Sequence, residues 1–452
     1  MFRKKKIGIF GTHNSGKTVL LTSLLWHLYE FSSDRFPIGD KSEIKEMEFV
    51  NAGNRNFNYD RNVSEFVEEN RWPHKTMDFQ IARCKYKRTD SFWERDMTFV
   101  DIPGERVSDV FIWKAKDFSD WSEQLEQIWQ GDVKINSCME DFIEIRRRVE
   151  ESPSETGSWD LLVCGYRTAL ISLGRNYSPL ITPSTFVLTM KGEVITDSDS
   201  EKLKEQPIWD NGNFFPLPGA WKKSKNKILQ QIYKTCESNF KKYRKEVLKP
   251  LYSEIDDCDN FIVCIDIFNI LTSGKSRYYQ IKKEINNFFQ LVRPRKFREL
   301  RIKAQRLMNK LLVGRALPKN MQARPPKVAY VATKSDMAIK GGDKTRLHQL
   351  LNNLILHEFN GSLCIDSKLF TCSAGRTFGY DETRKDVFYL PSGGEETHFE
   401  LDKWPQLPHA WTKWEPSNYS MFRRVGRPLQ MGPGVPPRQD QLDRLFEFIT
   451  ED

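Results

Sequence analysis

The residues best suited to chemistry stand near the amino terminus, where residues 11–18 are GTHNSGKT. This stretch has the spacing G-x-x-x-x-G-K-T, in which glycines let backbone N–H groups turn inward around a phosphate. Lys17 can reach the β- and γ-phosphates, and the hydroxyl of Thr18 can bind Mg²⁺. We therefore predict a bound nucleoside triphosphate, contacted by Gly11, Asn14, Ser15, Gly16, Lys17, Thr18 and Val19.

The elements on both sides of this loop are those that the pattern requires. Residues 7–10 are Ile-Gly-Ile-Phe, a short apolar run that predicts a buried strand. After the loop, leucines at 20, 21, 24, 25 and 28 recur at the spacing of one helix face. The amino terminus of such a helix carries partial positive charge, which favours a bound phosphate. The order strand, loop, helix thus favours a phosphate site over a chance match.

Two short motifs later in the chain concern the base of the nucleotide. Residues 333–336 are Thr-Lys-Ser-Asp and follow the apolar run 327–332, which predicts a strand. Asp336 can accept hydrogen bonds from N1–H and the 2-amino group of guanine, while the stem of Lys334 lies across the ring. Because adenine would leave that carboxylate unpaired, the motif favours guanine. Ser373 and Ala374 end another predicted strand, where a backbone N–H can meet guanine O6.

A further set of residues concerns the metal and the γ-phosphate. Asp101 and Gly104 form a D-x-x-G sequence after the apolar run 97–100, so that Asp101 can bind Mg²⁺ through water and Gly104 can sense the γ-phosphate. Thr76 lies between a polar segment and a strand-like run, which predicts a switch residue that ligates the metal in the GTP state. Glu105 stands where small GTPases carry a water-orienting glutamine. Its negative charge beside the γ-phosphate predicts slow hydrolysis, with Lys17, Thr76, Gly104 and Glu105 as the catalytic group.

The length and composition of the chain set limits on its organisation. With 452 residues, 39% of them hydrophobic and 29% charged, the chain has room for more than one domain. We predict an α/β fold with a mainly parallel sheet, a P-loop NTPase core of the GTPase type, and an inserted helical subdomain. The predicted boundaries are 1–106 and 256–380 for the core, 107–255 for the helical insert, and 381–452 for an extension that packs on the core, with a second helical insert at 277–325.

Charge and cysteine usage bear on location and partners. The formal net charge of +9 hints at an anionic partner, and residues 293–310 form a basic amphipathic pattern that suits either an anionic membrane surface or an ordinary solvated helix face. No base-reading motif supports nucleic acid. The eight cysteines are scattered and form no C-x-x-C pair, which indicates reduced, mostly buried thiols such as Cys164, Cys264 and Cys372. With no predicted signal peptide or membrane span, we expect a cytoplasmic protein.

Several stretches together resemble the YcjX-like family of bacterial P-loop proteins, which are described as stress-associated. The resemblance rests on residues 11–24, 72–76 (WPHKT), 101–105 (DIPGE), 214–218 (FFPLP), 332–336 (ATKSD) and 442–449. It implies a GTPase-like core with a helical insert, guanine nucleotide as ligand and a stress-related role. The chain departs from the family pattern at Arg106, where tryptophan is frequent, and at His13 and Asn14, where Ser-Arg is frequent. Asn14 stands where potassium-activated GTPases place a cation-binding asparagine, which makes K⁺ a hypothesis.

Three functions fit these observations. The first is a regulatory GTPase with slow intrinsic turnover, with or without a stimulating partner; Arg167 and Arg175 of the insert are candidates for an arginine that acts in cis. The second is a nucleotide-gated scaffold that hydrolyses very little. The third is an ATPase or a P-loop kinase, against which the Thr333–Asp336 motif argues because it favours guanine.

Overall fold

The architecture comes from a computed structural model of the chain. It describes residues 3–11, 15–30, 43–74, 79–107, 109–176, 213–275, 277–279, 281–282, 285, 326–337, 343–355, 366–381, 383–389, 396–400, 404–411, 414–423, 426–429 and 439–451. Strands and helices are numbered below in chain order within these residues. The predicted basic helix at 293–310 and most of the predicted insert at 277–325 lie outside them.

A seven-stranded sheet is the larger of the two sheets in the described part of the chain. Its strands are β1 Arg3–Gly11, β2 Ile44–Val50, β3 Gln80–Arg88, β4 Arg95–Asp101, β5 Asn260–Ile265, β6 Lys327–Ala332 and β7 Asp366–Thr371. Their order is β2-β3-β4-β1-β5-β6-β7. The strands from β4 to β7 are mutually parallel, whereas β3 runs antiparallel to both β2 and β4. The predicted α/β class with a mainly parallel sheet is confirmed.

The central strands form where the sequence is continuously apolar. Every residue of β5 is buried, and in β6 only the first residue, Lys327, is partly exposed. Such runs are typical of parallel strands covered on both faces. β2 is different, because it is an edge-type strand of sequence IKEMEFV with only its first residue buried. Residues 32–75 are polar as a whole, and that composition does not predict the strand at residues 44–50.

Two helices cover one face of the sheet and complete its core. The described parts of residues 1–104 and 254–452 contain the helices α1 Lys17–Tyr29, α2 Tyr59–Val63, α9 Ile267–Ser273, α10 Asp343–Ile355 and α11 Leu442–Thr450. Leucines of α1 and apolar residues of α11 share one hydrophobic cluster with β1 and β4. Asp440 is of a residue type favoured at helix N-caps, but it does not cap α11. Gln441 occupies the N-cap position with φ 60°, and Gln439 Oε1 accepts the N–H of Leu442 at 3.0 Å.

The contribution of α11 can be tested at Phe446. Its side chain is fully buried and its ring lies 5.8 Å from that of Tyr86 on β3. Because Phe446→Ala removes a large apolar group and leaves a cavity, we expect it to lower the free energy of unfolding by about 3–5 kcal/mol. Chemical denaturation of the two proteins measures this difference. A loss below about 1 kcal/mol would mean that α11 contributes little to the core, and the exposed neighbour Glu451→Gln serves as the control.

The chain divides into two compact units, residues 1–104 with 254–452 and residues 105–253. The described residues of the second unit, 105–253, form helices joined by loops and turns, and none of them forms a strand. The helices are α3 Val110–Lys114, α4 Phe118–Gly131, α5 Val133–Glu151, α6 Ser158–Asn176 and α7 Lys227–Tyr243, and α8 Lys249–Asp256 crosses the end of the unit. A pair of five-residue π-helical turns interrupts the regular helices, at Ser64–Glu68 in the first unit and at Arg244–Leu248 in the second.

Buried polar groups fix the interior of this helical unit. Arg106 donates to Tyr243 Oη at 2.8 Å, and that hydroxyl donates to Asp109 Oδ2 at 2.7 Å. Arg106, which departs from the family pattern, is therefore an interior residue. Arg167 is also buried and donates to Asn213 Oδ1 at 3.0 Å, while the side chain of Arg175 lies outside the described residues.

The carboxyl-terminal part of the chain adds a small antiparallel sheet of β8 Phe378–Asp381, β9 Asp386–Tyr389 and β10 Thr397–Glu400. Trp404, Trp411 and Trp414 are buried, and the indole N–H groups of the latter two donate to the carbonyls of Leu350 and Leu271. These tryptophans thus fill the interior of the first unit. Cys164 is exposed, so the expectation of burial was wrong there, although Cys264 and Cys372 are buried.

None of the helices within the described ranges is both long enough and apolar enough to cross a membrane.

Candidate functional site

The predicted site residues gather where the parallel strands end. After β1 the chain forms β2, β3 and β4 on one side of it and later β5, β6 and β7 on the other, so the end of β1 lies between two strands whose connections diverge. Ligands of open α/β sheets bind in the crevice at such a point. Gly11 ends β1 and Asp101 ends β4, while Thr333 and Ser373 follow β6 and β7 at the same edge.

Gly11 and Gly16 have different physical reasons to be glycine. A β-carbon at Gly11 would lie 2.5 Å from the carbonyl oxygen of Cys264 and 2.5 Å from Ser15 Oγ, so the backbone itself occupies the space. Gly16 precedes α1 with φ 80°, a left-handed conformation that other residues rarely adopt. Residues 12–14 of the loop between these glycines, among them Asn14, lie outside the described part of the chain.

The first turn of α1 presents a cation and a hydroxyl to this crevice. Lys17 is only 8% exposed, and its ammonium donates to the carbonyl oxygen of Gly11 at 3.0 Å. Thr18 Oγ1 donates to Asp101 Oδ2 at 3.0 Å, and Asp101 is fully buried. Adjacent hydroxyl and carboxylate oxygens are the hard ligands that Mg²⁺ prefers. Val19 is a helical residue of the same turn.

Thr333 joins the end of β6 to the loop before α1. Its hydroxyl donates to the carbonyl oxygen of Ser15 at 2.7 Å, and its backbone N–H donates to that of Ile265 at 3.1 Å. Thr333 is 5% exposed, so both bonds are shielded from water. The threonine therefore fixes the distance between the predicted base-recognition segment and the predicted phosphate loop.

Lys334 has a strained backbone and a fixed side chain. Its φ is 59°, which is uncommon for a residue other than glycine, asparagine or aspartate, and such conformations concentrate at functional sites. Its ammonium forms an ion pair with Asp266 Oδ2, and Asp266 Oδ1 accepts the N–H of Asn269 at 3.0 Å as the N-cap of α9. The side chain of Asp266 is 5% exposed. The end of β5 thus holds the side chain of the lysine.

Asp336 is held by a residue that the sequence analysis did not identify. Both the backbone N–H and the hydroxyl of Thr377 donate to Asp336 Oδ2, each at 2.6 Å. Burial raises the pKa of the Asp336 carboxyl above its ordinary value, while the hydrogen bonds from Thr377 act in the opposite direction. The Asp336 side chain is therefore shielded from water, and the hydrogen bonds from Thr377 stabilise its ionised form.

Ser373 and Ala374 stand at the end of β7 in contrasting surroundings. Ser373 is fully buried, and its backbone exchanges hydrogen bonds with Asp440, with N···O distances of 3.2 and 2.8 Å. Its hydroxyl finds no hydrogen-bond partner among the described residues. Ala374 is partly buried and packs against the main hydrophobic cluster. Because the N–H of Ser373 is engaged, that of Ala374 is the better placed of the two for an external ligand.

The segments around the predicted switch residues are described in part. Gly104 is buried and begins a short 3₁₀ turn, Gly104–Val107, in which the side chain of Glu105 lies outside the described part of the structure. Thr76 lies outside it as well. Just before it, Trp72 donates its indole N–H to the carbonyl oxygen of Gly426 at 2.7 Å. The predicted role of Thr76 therefore remains a prediction.

Glu65 anchors the chain immediately before Thr76. Its carboxylate accepts the backbone N–H of His74 at 2.9 Å and the Arg61 guanidinium N–H at 2.9 Å, and it contacts the His74 ring at 2.6 Å. Burial opposes ionisation of Glu65, but these hydrogen bonds outweigh it and lower its pKa. The segment that leads into the predicted switch is thereby tied to a charged group of low exposure.

Comparison with known proteins agrees with the sequence resemblance. The family model described as YcjX-like family, DUF463, matches residues 5–375, which include every predicted site residue. A search of curated proteins finds no match.

Proposed function

The chain belongs to the YcjX-like family, and on that premise we propose that it binds guanine nucleotide at this edge of the sheet and hydrolyses GTP slowly with Mg²⁺. The observation that carries the proposal is the alignment of two kinds of group on neighbouring strand ends. Lys17, Thr18 and Asp101 suit phosphates and a metal, while Lys334 and Asp336 suit a guanine base. The bond from Thr333 to Ser15 links the two sets.

A GTPase-like P-loop core is part of the proposal. It is supported by the G-x-x-x-x-G-K-T sequence between β1 and α1, by the parallel strands on both sides of β1, and by the base motif that follows β6. On the family resemblance alone, we extend the proposal to a role in the bacterial stress response.

In the proposed mechanism each residue has a limited task. Lys17 and the backbone N–H groups of residues 11–18 neutralise phosphate charge, and the buried surroundings of Lys17 strengthen that attraction. Mg²⁺, when bound, would offset charge on the β- and γ-phosphates. Thr18 and Thr76 would ligate it directly and Asp101 through water. Gly104 would donate its N–H to the γ-phosphate, and Glu105 would orient the attacking water.

The base specificity is tested by competition between guanine and adenine nucleotides. We expect GTP and GDP to displace a labelled GDP analogue at concentrations at which ATP and ADP do not. Lys17→Ala should weaken the binding of GTP more than the binding of guanosine, because the ammonium would contact only the phosphates of the nucleotide. Asp336→Asn should remove the preference for guanine by leaving the N1–H and 2-amino donors without an acceptor, a change of roughly 100-fold. Equal displacement by ATP in the unmodified protein would contradict the proposal.

Hydrolysis is measured separately from binding. Phosphate release under excess GTP distinguishes a slow GTPase from a nucleotide-gated scaffold, which would bind GTP but release no phosphate beyond the Lys17→Ala background. Running the assay in K⁺ and in Na⁺ buffers tests the hypothesis that Asn14 supports a monovalent cation, because equal rates would remove it.

A further inference from the structure

We propose that Thr377 sets the base specificity of this site by fixing which oxygen of the Asp336 carboxylate meets the base. Thr377 is neither in the Thr333–Asp336 motif nor in the Ser373–Ala374 turn. The inference rests on the proposed guanine site and identifies the residue that would determine its selectivity.

The geometry behind this inference is the convergence of two donors on one atom. The N–H and the hydroxyl of Thr377 both lie 2.6 Å from Asp336 Oδ2. One donor would leave the carboxylate free to rotate about its terminal bond, whereas two donors on the same oxygen hold it in one orientation. The backbone N–H groups of Asp336 and Phe378 also donate to this carboxylate and add to its support. Because both donors of Thr377 engage Oδ2, we assign Oδ1 as the oxygen that meets the base.

The position of Thr377 makes this arrangement rigid. Thr377 directly precedes β8 and is 6% exposed, so its backbone is fixed by the strand that follows and its hydroxyl is shielded from water. On the other side, Asp336 lies in the short 3₁₀ turn Ser335–Met337, whose first N–H donates to the carbonyl oxygen of Cys372 at 3.3 Å. Both partners are thus anchored to strand ends, which is the condition for precise orientation of a recognition group.

The simplest competing explanation is structural: Asp336 would only terminate the turn before β8. The two explanations differ in what an amide at position 336 would do. If Thr377 orients the group, an asparagine must place its oxygen against the two donors and direct its NH₂ towards the base. An NH₂ group repels the N1–H and 2-amino donors of guanine but pairs with the 2-oxo group of xanthine. If Thr377 is only structural, the preference between GDP and XDP does not depend on the residue at position 377.

The test measures dissociation constants for GDP and XDP by calorimetry in the full chain, with Thr377→Val, Thr377→Ser, Asp336→Asn and the double variant Asp336→Asn/Thr377→Val. Thr377→Val removes the hydroxyl donor and keeps the N–H, so we expect GDP to bind roughly tenfold more weakly. Thr377→Ser should restore the original affinity. Asp336→Asn should prefer XDP, and adding Thr377→Val should reduce that preference roughly tenfold because the amide can then rotate.

The outcomes separate this inference from the proposed function. If the unmodified protein fails to bind GDP, both the proposed function and the orienting role of Thr377 are wrong. If it binds GDP and Asp336→Asn shifts the preference to XDP, but Thr377→Val leaves the GDP/XDP ratio unchanged in both backgrounds, the guanine site stands and the orienting role of Thr377 is wrong. A change in melting temperature with an unchanged ratio also contradicts the orienting role.

Discussion

Replacing Gly11 with alanine is expected to raise the dissociation constant for GDP by about 100-fold, equivalent to about 3 kcal/mol. The new β-carbon would lie 2.5 Å from the carbonyl oxygen of Cys264, a backbone atom of the neighbouring strand β5. Since neither strand end can give way cheaply, β1 must separate from β5 where both contribute to the site. The carbonyl oxygen of Gly11, which accepts the hydrogen bond from Lys17, moves with it. Calorimetric titration with GDP measures the effect.

Two other glycines provide graded controls. A β-carbon at Gly16 would meet nothing closer than Thr333 Cβ at 3.8 Å, so Gly16→Ala carries only the cost of a left-handed φ. It should therefore weaken GDP binding less than Gly11→Ala does. At Gly131, at the end of α4, a β-carbon would meet nothing within 4 Å, so Gly131→Ala should bind GDP as the original protein does. Far-ultraviolet circular dichroism of all variants confirms that they are folded. If the dissociation constants of Gly11→Ala and Gly131→Ala for GDP lie within threefold of each other, the close backbone approach at Gly11 does not matter for binding.

The parts of the fold that the sequence predicted well are those governed by local patterns. β5 and β6 are short apolar runs bounded by polar residues, and burial on both faces requires that composition. Because parallel strands end at one edge, the motifs that follow β1, β4, β6 and β7 had to lie near one another. For this reason Gly11, Lys17, Asp101 and Thr333 could be grouped into one candidate site from the sequence alone.

The residues that the sequence missed act over long separations. Asp266 pairs with a lysine 68 positions later, and Thr377 contacts an aspartate 41 positions earlier. Neither spacing has a pattern that a reader of one sequence can recognise, because the contact depends on which strands become neighbours. A partial signal existed for Asp266, which is the first polar residue after the apolar run of β5 and sits at the same edge as the other motifs. Thr377 gave none.

The sequence did not predict β2 or the start of α11, and the reason there is different. β2 alternates charged and apolar residues only over Glu46–Phe49, it lies within a long polar region, and only its first residue is buried. Solvent-facing strands need little hydrophobicity, since pairing with β3 supplies their hydrogen bonds. Before α11, Asp440 does not cap the helix with its side chain but bonds through its backbone to Ser373, which ties the carboxyl-terminal helix to the end of β7. Tertiary contacts decided both cases.

The second large effect is expected at Asp101, the buried carboxylate at the end of β4. Asp101→Asn keeps the size of the side chain and can still accept the hydrogen bond from Thr18, but it removes the negative charge that would hold a Mg²⁺-bound water. Residues that position metal-bound groups typically contribute roughly 10- to 100-fold to metal affinity or activity. We expect single-turnover GTP hydrolysis to fall by about 10- to 100-fold at fixed Mg²⁺ and to recover in part as Mg²⁺ is raised.

Asp96→Asn is the matched control because Asp96 lies on the same strand at its opposite end, where it pairs with Arg83 at 2.6 Å. That pair holds the pKa of Asp96 below its ordinary value, so Asp96→Asn costs some stability. Asp96 pairs with Lys4 near the start of β1, at the opposite end of that strand from Gly11. Asp96→Asn should therefore leave the Mg²⁺ dependence of hydrolysis unchanged. If both variants shift that dependence equally, the effect comes from the strand and the metal role of Asp101 is wrong. If only Asp101→Asn shifts it, the end of β4 acts on the metal, as the buried contact between Asp101 and Thr18 predicts.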